Sequence, residues 1–492
     1  MDSAGFTADV GSILADGTVL TDKVSAKANL LQQGQFFYDS TNKYVWMYST
    51  SNPAIYYNGS LECWYRGTAL SNGNIVYASE KNYITFQDLE LKYGGGHGLQ
   101  VANCTNILTQ RLTISYVGGS YLTGTTRYGN GMEVWGGGSN ITLQNNDVSQ
   151  TFDEGITTQY KSVVTQNNII IQDNIVDKCG RGCALSSFGS PGASISNFYC
   201  RRNVFTNCGL GWSIPTVSNG EGKGIQLNIN DNMTNGNVTE NIIQNTASGA
   251  DPIGQGILVI GGAWNINKNW IQNTHNSAIR VYSDPTLIVS YNAVVGLNGK
   301  PAIFLNSWTG YNTNETLIVN NTVYDNNNKD TTVIKLGVDG GYEVSRVTMN
   351  NNIIMMAGNS ANELIQVPSG SDVTLDYNLC YRTTAGPLVN WKGTNYMQAD
   401  WEAYKAASSQ DANSPAPNDP KFVSTVVPDF HLQPTSTCIN SGVDVGVINF
   451  GVDVGVIKSY KAPVPKTTAP NIGAFANVKK NLGPIYLLLL GD

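Results

Sequence analysis

The 492-residue sequence predicts an all-β solenoid, a single-stranded parallel β-helix, on the basis of a sequence repeat and its composition. Between residues 81 and 385, a short apolar run ending in asparagine and followed by two mostly apolar residues recurs many times. The recurring asparagines lie between 23 residues (Asn269 to Asn292) and 38 residues (Asn203 to Asn241) apart. The runs are rich in β-branched residues and have no helical periodicity. Such a repeat is typical of stacked β-coils.

The asparagines of the repeat predict a ladder of side-chain amides. Asparagine tolerates the left-handed backbone of a tight turn, and its amide can hydrogen-bond to the equivalent amide one coil away. We therefore expect the ladder asparagines to be the left-handed turn residues and to stack inside the solenoid. They are Asn145 or Asn146, Asn174, Asn203, Asn241, Asn269, Asn292, Asn321, Asn352 and Asn378.

On this repeat, roughly residues 81 to 385, the chain resembles the right-handed parallel β-helix proteins of the pectin-lyase-like superfamily. The resemblance implies a right-handed coil and a domain order of an N-terminal β-rich capping region (1–80), the β-helix (81–385) and a C-terminal cap (386–492). A short helix is expected within 397–407 of that cap. A cap would cover the open strand edges of the first coil. Because the fold carries lyases, hydrolases, epimerases, tailspikes and adhesins, the resemblance leaves the activity open.

Composition limits the partners and the location. A net charge of −7, a pI near 5.1 and only 13% charged residues argue against nucleic-acid and anionic-membrane partners. A surface made of Asn, Ser, Thr and Tyr suits a polysaccharide or oligosaccharide. The first residues lack the features of a signal peptide, and the apolar run 486–490 is too short to span a bilayer. We expect an extracellular or virion-associated protein, as a monomer or, if it is tailspike-like, a homotrimer.

The eight cysteines do not predict a disulfide framework. Cys179 and Cys208 occupy the same place in successive repeats, so we expect them to stack as buried free thiols. Without histidine or acidic residues beside them, a zinc site is not expected.

A second pattern, a glycine or alanine followed by an apolar-x-apolar strand, runs from Gly98 to Ala302. Strand alternation places the third residue of each motif outside. The predicted outward row is Gln100, Glu133, Thr157, Ala184, Gln226, Leu258, Arg280 and Phe304. A second row, two residues further on, includes Trp135, Gln159, Ser186, Asn228, Ile260 and Tyr282. Insertions at 117–130, 186–196, 210–223 and 246–255 are expected to border this face.

Polar residues also precede the glycine of each motif. They are His97, Asn130, Glu154, Arg181 and Lys223, with Asp153 beside Glu154. Acidic and basic side chains on neighbouring coils lie about 5 to 10 Å apart, which is the carboxyl separation that glycoside hydrolysis requires.

These strand starts resemble the motifs of polygalacturonase-type glycoside hydrolases. The matching segments are Gly129-Asn130-Gly131, Asp153-Glu154-Gly155 and Gly180-Arg181-Gly182, although the family has Asp where Asn130 stands and His where Arg181 stands. The resemblance implies Asp153 or Glu154 as general acid, with Glu133 or the other member of the pair as base or nucleophile. The predicted substrate-binding residues are Asn130, Arg181, Lys223, Gln226, Arg280, Trp135, Gln159, Tyr282 and His97.

Three alternatives stay open. A polysaccharide lyase or epimerase acting on a uronate would use Arg181, Lys223 and Arg280 to neutralise the carboxylate. In such a lyase, Asp153, Glu154 and Glu133 could bind Ca²⁺; otherwise no cofactor or metal is expected. A non-catalytic adhesin or tailspike-type protein would only hold glycan, and would bury the apolar residues Leu258, Ile260 and Phe304 between subunits. Finally, Asp153 and Glu154 could simply be solvated acids of a turn.

Overall fold

The computed structural model describes residues 8–20, 22–66, 73–123, 126–187, 192–212, 222–229, 232–247, 254–282, 286–306, 315–327, 329–338, 343–445 and 471–474. The chain divides into two compact units. The first unit comprises Met1–Tyr199, Asn203–Met233 and Gln244–Ile257, and the second comprises Cys200–Arg202, Thr234–Ile243 and Leu258–Asp492.

Each unit is built from coils of three parallel strands, which we call the A, B and C walls in the order in which the chain runs through them. Each strand pairs in parallel with its equivalent in the next coil. In the first unit, for example, Met132 pairs with Ile156 on the A wall, Ile141 with Ile169 on the B wall and Val148 with Val176 on the C wall. The predicted parallel β-helix is therefore confirmed.

The first unit contributes strands to all three walls. Its A-wall strands are Val76–Ser79, the first halves of Leu99–Gln110 and Met132–Gln144, Glu154–Tyr160, Arg181–Ser187 and Ile225–Asn228. Its B-wall strands are Asn82–Gln87, the second halves of Leu99–Gln110 and Met132–Gln144, and Thr165–Gln172. Its C-wall strands are Glu90–Lys92, Thr113–Val117, Asp147–Thr151, Ile175–Asp177 and Val204–Thr206. The strands with residues in both units are Ser194–Arg201, Asn232–Thr239, Ile242–Gln244 and Ile257–Ile260.

The second unit repeats the three walls. Its A-wall strands are Ile279–Val281, Ile303–Leu305, Ile334–Leu336, Ile365–Val367 and Pro387–Trp391. Its B-wall strands are Ala263–Asn267, Thr286–Ser290, Thr316–Val319, Val347–Asn350 and Val373–Asp376. Its C-wall strands are Trp270–Gln272, Ala293–Val295, Thr322–Asp325, Ile353–Met356 and Leu379–Arg382.

The N-terminal region lies along the side of the coils. An antiparallel sheet is formed by Val10–Ala15, Thr18–Leu20 and Leu61–Tyr65, and a hairpin by Phe36–Asp39 and Tyr44–Met47. The region also contains a 3-10 turn, Lys27–Asn29, and a short helix, Pro53–Tyr56. Trp64 packs in one cluster with Phe152 and Trp212, and its indole N–H donates to the carbonyl of Gly118 at 3.2 Å. These residues shield coil turns, whereas covering of the first coil by this region stays a prediction.

The C-terminal region has two parts with different contacts. A hairpin strand, Thr394–Met397, a 3-10 turn, Gln398–Asp400, and a helix, Trp401–Ser408, follow the last A-wall strand, and this helix overlaps the predicted segment 397–407. A second hairpin, Phe422–Ser424 with Asp429–Leu432, packs Phe422 and Phe430 against the outside of the C wall. No described helix is long and apolar enough to cross a membrane.

The asparagine ladder is present in both units. In the first unit, the amide nitrogen of Asn146 donates to the amide oxygen of Asn174, and Asn174 donates in turn to Asn203, each at 2.9 Å. In the second unit the ladder runs from Asn241 to Asn378 in steps of 2.9 to 3.0 Å through Asn269, Asn292, Asn321 and Asn352. Its last amide donates to the buried carboxyl of Asp411 at 3.2 Å, and Asp411 also accepts from the hydroxyls of Tyr404 and Ser414.

One expectation about the ladder is wrong: the ladder asparagines are not the left-handed residues. The residue before each of them has the positive φ, as in Asn145 (54°), Tyr291 (56°) and Tyr377 (56°). The preceding residue makes the turn, which leaves the asparagine extended so that its backbone N–H and its amide both donate to the next amide oxygen. Since residues of very different size occupy the turn position, side-chain hydrogen bonding rather than tolerance of αL explains the repeated asparagine.

The eight cysteines are all among the described residues, and none of them forms a disulfide bond. Cys179 and Cys208 are fully buried, as predicted, and burial raises the pKa of the Cys179 thiol to about 12.

The first prediction concerns the ladder. Asn292 donates to Asn321 (3.0 Å) and to the carbonyl of Ile266 (2.9 Å), and it accepts from the side-chain and backbone N–H groups of Asn269. Asn292→Ala leaves these buried groups without partners, so we expect a loss of about 3 kcal/mol in the free energy of unfolding, measured by chemical and thermal denaturation.

The control is Asn395→Ala, because Asn395 is exposed and its amide oxygen accepts one bond from Asn390. That variant is expected to stay within about 0.5 kcal/mol of the parent. Equal losses in the two variants would show that the ladder amides contribute no more than surface amides do.

Candidate active site

The outward row predicted for the A wall is in register in the first unit. Gln100 pairs with Glu133, Glu133 with Thr157, Thr157 with Ala184, and Ala184 with Gln226. Although these side chains point away from the coil interior, all five residues are buried. The row is therefore a covered polar surface rather than an open one.

The polar residues at the strand starts form a second row beside the first. The backbone carbonyl of each of these residues accepts a hydrogen bond from the N–H of the motif glycine in the previous coil. Gly131 donates in this way to Glu154, and Gly182 donates to Lys223, both at 2.9 Å. Glycine is required at this bend, since a Cβ on Gly155 would lie 2.4 Å from Val176 inside the coil. The bend brings the two rows together. Asn130 donates to Glu133 at 3.1 Å, and Lys223 donates to Gln226 at 3.0 Å.

Glu133 is surrounded by three donors. Its carboxyl accepts from Gln100 Nε2, from His97 Nε2 (3.2 Å) and from Asn130 Nδ2 (3.1 Å). Burial is the largest influence and raises the pKa of Glu133 to about 8, helped by the charge of Glu154 and opposed by the bonds from Gln100 and Asn130. Glu133 is therefore a neutral acid at neutral pH.

His97 is held in one tautomer. Its Nδ1 accepts from the backbone N–H of Asn130 at 3.0 Å, so Nε2 carries the hydrogen that is donated to Glu133. Burial lowers the pKa of His97 to about 4, against the charge of Glu154, and its ring lies edge-on to Tyr128 at 5.1 Å between ring centres. We predicted His97 as a substrate-binding residue, but the structure places it where it orients Glu133.

Asp153, Glu154 and Arg181 form the charged centre of the cluster. Arg181 Nη1 donates to Glu154 Oε1 and lies 3.8 Å from Asp153 Oδ1. Burial and the Glu154 charge raise the pKa of Asp153 well above its ordinary value, against the opposing effect of Arg181. Burial would lower the pKa of Arg181, but the Glu154 and Asp153 carboxylates outweigh it and raise that pKa. Of the three carboxyl groups, Glu154 is thus the one in direct contact with the Arg181 guanidinium.

Asn130 links the two carboxyl groups of the neighbouring coils. Its Oδ1 accepts from the backbone N–H of Glu154 at 3.1 Å, while its Nδ2 donates to Glu133. In the part of the chain that the structure describes, Glu154 Oε2 and Asp153 Oδ1 have no hydrogen-bond partner. The Asp153 and Glu154 side chains also lie within hydrogen-bonding reach of each other, and this contact contributes to the raised pKa of Asp153.

Exposure differs among the three carboxyl groups. The side chain of Asp153 is 18% exposed, whereas those of Glu133 and Glu154 are 2% and 1% exposed. Arg181, at 14%, lies with Asp153 at the open side of the cluster. A substrate would reach these two residues first.

The structure brings six predicted residues into one cluster, namely Asp153, Glu154, Glu133, Asn130, Arg181 and His97. Lys223 and Gln226 form their own pair at the corresponding strand of the later coil. Trp135 and Gln159 pair in register on the second row, with Trp135 half-buried and Gln159 buried. Arg280 and Tyr282 belong to the second unit, where the guanidinium of Arg280 lies 4.6 Å from the ring centre of Tyr282.

The site prediction missed Gln100. Gln100 stands in the predicted outward row one coil before Glu133, so its position in that row was the available signal. An amide does not by itself indicate a partner that holds an acid in place.

Parts of three predicted insertions, residues 188–191, 213–221 and 248–253, lie outside the described residues, as do residues 486–490. The remaining predicted insertion, residues 117–130, contains a hairpin of Ser120–Thr123 and Thr126–Tyr128.

The described residues hold no group of three or more His, Cys, Asp or Glu side chains arranged to bind a metal ion. In the cluster itself, the cation that Glu154 faces is the guanidinium of Arg181.

Comparison with known proteins agrees with the fold. A family model described as a right-handed β-helix region matches residues 45–214. Among solved structures, the chain is similar to the crystal structure of pectate lyase Pel9A, with 14% identity over 82% of this chain and 86% of that one and a TM-score of 0.33. No curated protein sequence matches the chain. The family match and the parallel walls confirm the right-handed parallel β-helix.

The second prediction follows from Glu133. Its folded pKa of about 8 lies above the ordinary value of 4.5, so the native protein keeps a proton that the unfolded chain loses. The stability that this proton provides is complete below the ordinary pKa and is lost as the pH rises toward 8, by roughly 5 kcal/mol for one such group. Glu133→Gln removes this titration. We expect the melting temperature of Glu133→Gln minus that of the parent to become more positive as the pH rises from about 5 to about 8.5.

Glu62→Gln is the control, since Glu62 is an exposed glutamate of the N-terminal sheet. Its melting temperature should differ from that of the parent by the same amount at both pH values. If Glu133→Gln behaves in the same way, Glu133 does not carry a raised pKa.

Proposed function

We propose that the chain cleaves a polysaccharide by acid/base glycoside hydrolysis at the cluster of Asp153, Glu154 and Glu133. One observation carries this proposal: neighbouring buried carboxyl groups lie in different electrostatic environments. Burial raises the pKa of Asp153 and of Glu133 above their ordinary values, while the carboxyl group of Glu154 is in direct contact with the guanidinium of Arg181. Pairs of this kind supply an acid and a base at one pH.

Asp153 has the properties of the general acid. It retains a proton toward neutral pH, and it is the most exposed of the three carboxyl groups. It can therefore meet the oxygen of a glycosidic bond at the open side of the cluster and protonate the leaving group.

Glu154 is the corresponding base or nucleophile. Arg181 engages Oε1, which leaves Oε2 for a water molecule or for the sugar carbon. The same guanidinium lies 3.8 Å from Asp153, so it offsets the negative charge that Asp153 acquires when it gives up its proton.

Glu133 supports this pair from the previous coil. While it is protonated, it adds no charge beside Glu154, and His97, Gln100 and Asn130 fix its position. Ionisation of Glu133 above about pH 8 would place a further negative charge near Asp153 and Glu154. Activity is therefore expected to fall on the alkaline side.

A polysaccharide is favoured as substrate by the protein surface and by the strand-start motifs. Charged residues make up only 13% of the chain, and exposed aromatic side chains such as Tyr44, Trp46 and Tyr83 offer faces for sugar rings. The segments at Asn130, Asp153-Glu154 and Arg181 are the ones that resemble the polygalacturonase-type hydrolases.

The third prediction tests the reaction. Purified protein is incubated with neutral and acidic polysaccharides, and reducing ends and absorbance near ~235 nm are recorded together, with and without chelator. Hydrolysis produces reducing ends without the absorbance of an unsaturated uronate. Asp153→Asn and Glu154→Gln are each expected to lower the rate by about 10² to 10⁴.

Asp147→Asn is the matched control, because Asp147 is an exposed carboxyl on the C wall of the same coil as Glu133. Its rate should remain within about twofold of the parent. Absorbance that chelator abolishes would establish a Ca²⁺-dependent lyase and refute the hydrolase. Binding to a glycan without cleavage of any would favour the adhesin.

A further inference from the structure

A second polar site lies on the A wall of the second unit, apart from the carboxyl cluster. Arg280, Phe304 and Lys335 are outward side chains of three successive coils, with Arg280 paired to Phe304 and Phe304 paired to Lys335. Adjacent members stand about 4.8 Å apart along the row. They line an open cavity of about 370 Å³ together with Lys300, Asn276 and Asp330.

The guanidinium of Arg280 is stacked rather than ion-paired. Its central carbon lies 4.6 Å from the ring centre of Tyr282 and 5.0 Å from that of Phe304. Lys335 Nζ lies 5.6 Å from the Phe304 ring centre, so one ring attracts both cations. Stacking covers the faces of a guanidinium and leaves its edge, where the N–H donors lie, for a planar anion.

One donor of Arg280 is buried without an acceptor. No described residue accepts a hydrogen bond from its Nε. A buried guanidinium N–H without a partner is costly, and a ligand that accepts from it removes that cost. Burial also lowers the pKa of Arg280, against the influence of Tyr282, which is the effect expected of a cation that lacks an acidic neighbour.

The charge around the cavity is positive although the whole chain carries −7. Arg280, Lys300 and Lys335 face one carboxyl, Asp330, whose Oδ1 already accepts from the backbone N–H of Ala361 at 2.8 Å. Among the described residues, no acidic side chain lies within ion-pair distance of Arg280 or Lys335. Among the described residues that line the cavity, three cations therefore face a single carboxyl group.

We propose that this cavity binds the anionic group of an acidic saccharide, a carboxylate or a sulfate, with Arg280 as the bidentate donor and Lys335 as the second cation. The proposal rests on the proposed function only in taking the ligand to be a saccharide. Asn276, which also lines the cavity, supplies an amide, and Thr332, whose hydroxyl donates to Glu363 at 2.8 Å, can accept a hydrogen bond from a sugar hydroxyl. Phe304 keeps the two cations apart and in place.

The fourth prediction is tested by affinity electrophoresis and calorimetry with the full chain carrying Glu154→Gln, which removes the proposed hydrolysis. The probes are a carboxylated glycan (polygalacturonate), a sulfated glycan (dextran sulfate), neutral dextran and a single-stranded oligonucleotide. We expect binding to at least one anionic glycan and weak binding to dextran and the oligonucleotide. Arg280→Gln is expected to weaken that binding about tenfold or more, and Arg280→Lys to restore it only in part.

Arg346→Gln is the matched control, because Arg346 is an exposed arginine of the same unit paired with Glu315 at 3.2 Å. Removal of its charge should change the affinity less than twofold. Equal losses for Arg280→Gln and Arg346→Gln, equal binding of dextran or the oligonucleotide, or no binding of either anionic glycan would each overturn the proposal. These results concern binding alone, so a failure here is separable from a failure to detect hydrolysis.

Discussion

Hydrogen bonds between buried asparagine amides of neighbouring coils set the register on which the other features depend. Parallel walls of β-branched residues pack nearly as well after a slip, so apolar burial alone specifies register weakly. An amide that has to meet the next amide does not tolerate a slip, because each unsatisfied group costs about 1 to 3 kcal/mol. The coils can therefore carry insertions of different length and still return to the same alignment. In the second unit, Asp411 ends the ladder by accepting the last amide donor together with the hydroxyls of Tyr404 and Ser414.

Register inside the coils also determines which side chains meet outside them. Once Met132 and Ile156 are paired, Glu133 has to stand beside Thr157 and Gln100, and Asn130 has to stand beside Glu154. The glycine bend then turns the two outward rows toward each other, so that residues three apart in sequence, such as Asn130 and Glu133, are hydrogen-bonded. A chemical cluster thus arises from residues spread from His97 to Arg181 without any loop having to position them.

The sequence was sufficient for the features that periodicity determines and insufficient for those that depend on backbone conformation or on what covers a surface. The coil, the ladder and the outward row of Gln100 and Glu133 all follow from periodicity, because a repeated position has a repeated environment. The left-handed residue of each turn was misassigned, since neither Tyr291 nor Arg202 has a side chain that marks that backbone. Burial of the outward row was also missed. Alternation determines which way a side chain points but contains no information about what covers it, and this is why the pKa of Glu133 could not be anticipated.

The cluster around Arg181 depends on an imbalance of charge. Three carboxyl groups share one guanidinium, and the interior stabilises only as much negative charge as that cation offsets. Burial raises the pKa of Asp153 and Glu133, and Arg181, which contacts Glu154 directly and lies 3.8 Å from Asp153, opposes that effect only in part at Asp153. In the mechanism that we propose, a second cation in contact with Asp153 would lower its pKa and weaken it as an acid, while loss of Arg181 would take away the guanidinium that Glu154 contacts. The proposed chemistry therefore depends on this buried site containing fewer positive charges than carboxyl groups.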